Sequence, residues 1–147
     1  AYAASPTAVQ VAGDVRRLVE CAAVGAHPGG RAGLERVLET LERADATAAE
    51  GDWVGVGTAD IDFHRELAAL ASTRVVALMQ SVWDEMRLAF HVVARPDAFH
   101  GSYLDRNHLI LDALVEEGGP EAATMLRAYL DEAEGQVLLA YRSRGLD

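Results

Sequence analysis

A chain of 147 residues and 15.7 kDa suits one domain with a single sizeable core, and a hydrophobic content of 50% excludes a disordered chain. The formal charge is -10, every basic residue is an arginine, and no basic cluster exceeds Arg16-Arg17, which argues against nucleic-acid binding by this chain alone. No apolar run is long enough to cross a membrane, none resembles a signal peptide, and the lone Cys21 excludes an internal disulfide, so the cytoplasm is the expected compartment.

Residues 1–8 (AYAASPTA) carry no pattern and read as a linker remnant, leaving 9–147 as a helical domain. The first helix is expected over about 10–25, with Val15, Leu18, Val19 and Ala22 as its apolar stripe and Arg16 and Glu20 a turn apart on an adjacent face. His27-Pro28-Gly29-Gly30 breaks it. The second helix is expected over about 31–50, with Leu34, Val37, Leu38 and Leu41 inward. Trp53 to Gly57 reads as a loop or a first turn, because one isolated strand-like fragment cannot make a sheet.

Thr58 is the expected N-cap of a third helix reaching about Ser72, with Ile61, Phe63, His64, Leu67, Leu70 and Ala71 inward. A fourth, over about 74–91, presents Val75, Leu78, Met79, Val82, Met86 and Phe90. After the Arg95-Pro96-Asp97 break, a fifth helix is expected from about residue 99 or 103 to about 117. Gly118-Gly119-Pro120 ends it and opens a sixth, which reaches about Tyr141. Six helices on short connections bury their stripes only against one another, so the fold class is all-α, an antiparallel bundle.

Several polar residues fall on inward positions. Asp60 and His64 stand one turn apart beside Phe63 and Leu67, so they give a polar floor, either as a helix-surface contact or as part of a ligand or metal site. Asn107 lies on the stripe of Tyr103, Ile110 and Leu114, and its amide needs partners there. Tyr129 lies on the stripe of Ala122, Leu126, Ala133 and Val137. Arg16 is either solvated beside Arg17 or turned into the bundle toward an anion. His91 and His100 read as loop or helix-end residues, His27 as a turn residue, and His108 as facing a seam.

Taken in order, Arg16-Arg17-Leu18-Val19-Glu20, Asp60-x-x-Phe63-His64-x-x-Leu67, Ile110-Leu111-Asp112-Ala113-Leu114 and the stripe from Ala122 to Tyr129-Leu130 are similar to known segments. The whole chain resembles the effector-binding C-terminal domain of the FadR branch of GntR-family bacterial transcription regulators. The resemblance implies an antiparallel bundle of six or seven helices around a polar central cavity. It also implies a small effector, a carboxylate metabolite above all, a homodimer, and operator contact only through an N-terminal winged helix-turn-helix domain that these residues do not include.

Many members hold a divalent metal with one aspartate and three histidines. The resemblance puts the aspartate at Asp60 and the first histidine at His64, but Asn107 and Tyr129 stand at the other two positions. An amide and a neutral phenol are poor ligands for zinc or nickel, so no tightly bound cofactor is expected and any divalent ion at Asp60 and His64 would be weakly held. The effector-binding set is then Arg16, Asp60, His64, Asn107 and Tyr129, with Arg16 as carboxylate clamp and no catalytic residue. Two alternatives stand beside this sensor: a metal-dependent helical enzyme built on Asp60 and His64, and a bundle that only mediates dimerisation.

Overall fold

The computed structural model describes residues 5–146, which form seven α-helices and one 3-10 turn with no strand among the described residues. In chain order they are α1 (Pro6–Gly25), α2 (Glu35–Ala49), α3 (Trp53–Ala69), α4 (Thr73–Leu78), α5 (Gln80–Ala89), the 3-10 turn Phe90–Val92, α6 (Pro96–Glu116) and α7 (Gly119–Ser143). α1 packs along α7 and α2 along α3, while α3 also touches α1, α4, α5 and α6. A side chain on α3 can therefore meet partners from most of the bundle.

The helix starts are chemically marked. Ser5 caps α1 by accepting from the Ala8 N–H at 3.2 Å, and Pro6 occupies the first turn, where its missing N–H costs nothing. Residues 6–8 thus belong to α1, not to a lead-in; residues 1–4 lie outside the described residues. Gly51, at φ 74, closes α2, and Asp52 caps α3 by accepting from Gly55 N–H at 2.9 Å. The expected cap at Thr58 is therefore wrong, and of the two readings of Trp53 to Gly57 the helical one holds: the cap stands six residues earlier, at Asp52, which the glycines around Val54 obscure.

The expected fourth helix is two. Ser72 caps α4, and at Met79 (φ -92, ψ 2) the backbone leaves helical geometry before α5 resumes. The break changes register: Leu78, expected inside, is 81% exposed, while Met79, Trp83 and Met86 are buried. α4 carries no fully buried residue; Val75 and Val76 pack half-buried against the cluster of Ile61, Ala68, Met79 and Trp83. Ala71 is likewise exposed, past the end of α3.

The main core joins Leu34 just before α2, Val37 and Leu41 of α2, Phe63 and Leu67 of α3, Ile110 and Leu114 of α6, and Leu126 and Leu130 of α7. At the α6–α7 junction Gly118 takes φ 95, a conformation that disfavours a side chain. A Cβ on Gly119 would collide with the Val24 carbonyl oxygen and lie 2.6 Å from that of Gly25. The two glycines set how closely α7 enters against α1.

Candidate ligand-binding site

The first correction of consequence is on α1. Its buried side is Val9, Ala12, Gly13, Arg16, Glu20, Cys21, Ala23 and Val24, whereas Leu18 is 75% exposed and Ala22 is exposed. The helix thus turns an ion pair inward and leaves its largest apolar residue in solvent. Arg16 Nε donates to Glu20 Oε1 at 2.9 Å across one turn, and Glu20 is fully buried. The two opposite charges on the same face offset each other's desolvation, which makes the orientation tolerable.

Glu20 then reaches α3 and α5. His64 Nδ1 donates to Glu20 Oε2 at 2.8 Å, and the Trp83 indole N–H approaches Glu20 Oε1 at 3.4 Å. The other edge of the His64 ring faces Asp60: Nε2 lies 3.7 Å from Oδ1, too far for a hydrogen bond. That same Asp60 oxygen accepts from Asn107 Nδ2 at 2.6 Å and from the Tyr129 hydroxyl at 2.8 Å. A polar chain therefore runs from Arg16 through Glu20 to His64 and, across the 3.7 Å gap, on to Asp60, Asn107 and Tyr129, and joins α1, α3, α6 and α7.

Burial pushes the Glu20 carboxyl up, but the Arg16 guanidinium and the His64 imidazole outweigh it and hold the group below its usual value. Burial also opposes the charge on Arg16, and Glu20 with a smaller contribution from Asp60 reverses the effect. Tyr129 is held well above the ordinary phenol value, by burial first and by the Asp60 charge second, so it stays a hydrogen-bond donor. Burial likewise pushes Tyr103 up to about 12.

All five expected residues lie in this chain, with Arg16 turned inward and not solvated. Glu20, Trp83, Tyr103 and His100 join it or border it. The Tyr103 and Tyr129 rings lie 4.8 Å apart, and His100, expected at a helix end, is 5% exposed inside α6. His108 is outside the cluster and pairs with Asp45 at 2.9 Å. Among the described residues four buried polar atoms have no hydrogen-bond partner: His64 Nε2, Asn107 Oδ1, Tyr103 Oη and His100 Nδ1. Arg16 donates only through Nε, so its two terminal nitrogens make no hydrogen bond to a described residue.

These donors do not fit a tightly held zinc or nickel ion. The Asp60 oxygen nearest His64 already accepts two hydrogen bonds, Glu20 is engaged by Arg16 and His64, and Tyr129 is held protonated. Among the described residues no group of three or more histidine, cysteine, aspartate or glutamate side chains is arranged around a metal position.

A family model, the FCD domain, matches residues 12–132. Among solved structures, a chain titled as a GntR transcriptional regulator from Rhodococcus sp. RHA1 is 47% identical with a TM-score of 0.84, covering 90% of this chain and 65% of that one. The chain therefore spans just under two thirds of that relative. The metal-free FCD domain of TM0439 has a TM-score of 0.72 over 97% of this chain and 99% of its own, and at 13% identity it supports the fold alone. No curated protein matches the chain.

Proposed function

The chain belongs to the FCD domain family, a regulatory rather than catalytic domain of GntR-type regulators, and we propose that its buried polar chain binds a small organic acid. The observation that carries this reading is the set of uncommitted polar atoms around Asp60. An unsatisfied buried polar group costs about 1–3 kcal/mol, and His64 Nε2, Asn107 Oδ1 and Tyr103 Oη are three of them in one region. A ligand with a carboxylate and a hydroxyl would meet the Arg16 terminal nitrogens with the first and His64 or Asn107 with the second.

In this reading the effector biases the packing of α1 against α3, α6 and α7, because it binds one arrangement better than another. DNA contact belongs to a winged helix-turn-helix domain in the full-length regulator, a homodimer in the cytoplasm. This division accounts for an acidic chain with no basic cluster. Among the described residues no helix is long and apolar enough to cross a membrane.

The test is a thermal-shift screen of hydroxy and simple carboxylic acids, followed by calorimetric titration of the acids that stabilise the chain. An acid at about 100 times its Kd should stabilise the domain by about 2.7 kcal/mol, and the gain should collapse in both Arg16→Gln and Asn107→Ala. Equal stabilisation of both variants and the parent chain would refute the assignment.

A further inference from the structure

A second candidate site lies two helical turns from His64. A cleft of about 240 Å³ opens between the first turns of α3 and α6 and the 3-10 turn. Trp53, Val54, Phe90, Val93 and Pro96 make it largely apolar, and the exposed Arg87 adds a permanent cation to its lining. The Arg87 side chain makes no ion pair or hydrogen bond to any described residue.

The wall at Gly57 is backed by His100 of α6. Gly57 lines the cleft, and a Cβ placed there would lie 2.8 Å from His100 Cε1 and 3.0 Å from its Nε2. The imidazole edge thus fills the space that a side chain at position 57 would take. His100 is 5% exposed, and its Nδ1 is buried without a partner. Burial holds the ring below its ordinary pKa, against the pull of Asp60, so it remains neutral, with one nitrogen to accept and one to donate. Phe90 meets His100 edge-on at 5.0 Å between ring centroids, which fixes the imidazole against the wall.

We propose that this cleft binds an aromatic carboxylic acid, with the ring among Trp53, Phe90 and Pro96 and the carboxylate on Arg87. A cavity of about 150 Å³ is enough to take benzene, so a substituted ring fits the space here. The site goes beyond the family reading and does not rest on it, although the two are neighbours. Along the α3–α6 contact Gly57 meets His100 and, one turn on, Asp60 meets Asn107.

The two tryptophans separate the sites experimentally. Trp53 lines the cleft, whereas Trp83 is buried against Glu20. In a titration followed by 1H–15N correlation spectra, phenylacetate should move the Trp53 indole and the Gly57 amide with a Kd of about 1 mM or tighter. Acetate should leave both in place. Arg87→Ala should weaken phenylacetate about fivefold or more, and benzyl alcohol should bind the parent chain correspondingly less well than phenylacetate. Arg87 is exposed and unbonded, so its replacement leaves folding intact. A Trp53 signal that stays still in phenylacetate, or an Arg87→Ala chain that binds it unchanged, overturns the proposal. Movement of Trp83 alone also overturns it, while leaving the organic-acid reading of the polar chain standing.

Discussion

Replacing Glu20 by glutamine tests the polar chain most directly, because the side chain keeps its size and loses only its charge. Glu20 is fully buried and holds Arg16 at 2.9 Å and His64 at 2.8 Å. Its removal leaves the Arg16 guanidinium, itself 6% exposed, without a counterion. Breaking a buried pair from one side costs about 3–5 kcal/mol. For 147 residues the unfolding entropy is about 0.3 kcal/mol per kelvin, so Glu20→Gln should lower Tm by about 10–15 °C. Thermal melts by circular dichroism measure this, and Arg16→Met combined with Glu20→Leu should recover much of the loss because no orphan charge remains.

The pH dependence gives a second reading of the same group. The folded Glu20 carboxyl sits below its unfolded value of about 4.3, so its contribution is fully present above that pH and disappears as pH falls through the folded value. The gap in stability between the parent chain and Glu20→Gln should therefore close in acid. A Tm loss under about 3 °C at neutral pH, or a gap independent of pH, would mean that the Arg16–Glu20–His64 contacts do not hold this end of the bundle.

Three further outcomes follow from particular contacts. Tyr129→Phe removes one of two donors to the buried Asp60 oxygen and should cost about 1.5–3 kcal/mol in urea unfolding. Gly119→Ala drives a methyl group into the Val24 and Gly25 carbonyls and should cost about 1–3 kcal/mol, whereas Gly135→Ala, which meets nothing within 4 Å, should not destabilise. Asn107→His with Tyr129→His should create stoichiometric zinc binding beside Asp60 and His64, measured by metal analysis after dialysis; no gain would refute the correspondence of these positions with metal-ligating ones.

How much was legible in the sequence depended on what each helix offered. On α6 and α7 the stripes through Tyr103, Asn107 and Leu114, and through Leu126, Tyr129 and Val137, emerge intact because the helices are long and every inward position but His100 and Asn107 is apolar or a tyrosine. On α1 the same rule fails. Val15 and Val19 do pack half-buried against the Ile61–Trp83 cluster, but Leu18 and Ala22 of the expected stripe are exposed, and the most buried row, Val9, Ala12, Arg16, Glu20 and Val24, has two charges at its centre. The row does have regular spacing of three and four. What hides it is that each charge looks disqualifying alone, although an i,i+4 pair of opposite sign is far less costly than its members. His100 was hidden differently, because its burial depends on Gly57, a residue with no side chain to signal a contact.

The inward turn of Arg16 and Glu20 also supplies charge balance and helix-to-helix ties from side chains alone. A metal at the centre of such a bundle neutralises carboxylates and ties separate helices together. Here Arg16 balances Glu20, while Glu20 ties α1 to α3 through His64 and Asp60 ties α3 to α6 and α7 through Asn107 and Tyr129. Both jobs are done by side chains. Yet the substitution is not symmetric, since amide and phenol donors satisfy one Asp60 oxygen and leave His64 Nε2 and Asn107 Oδ1 without partners. A purely structural replacement would have closed those groups with apolar neighbours or with each other, at lower cost. Their persistence at the junction of four helices is the reason to look for a ligand there.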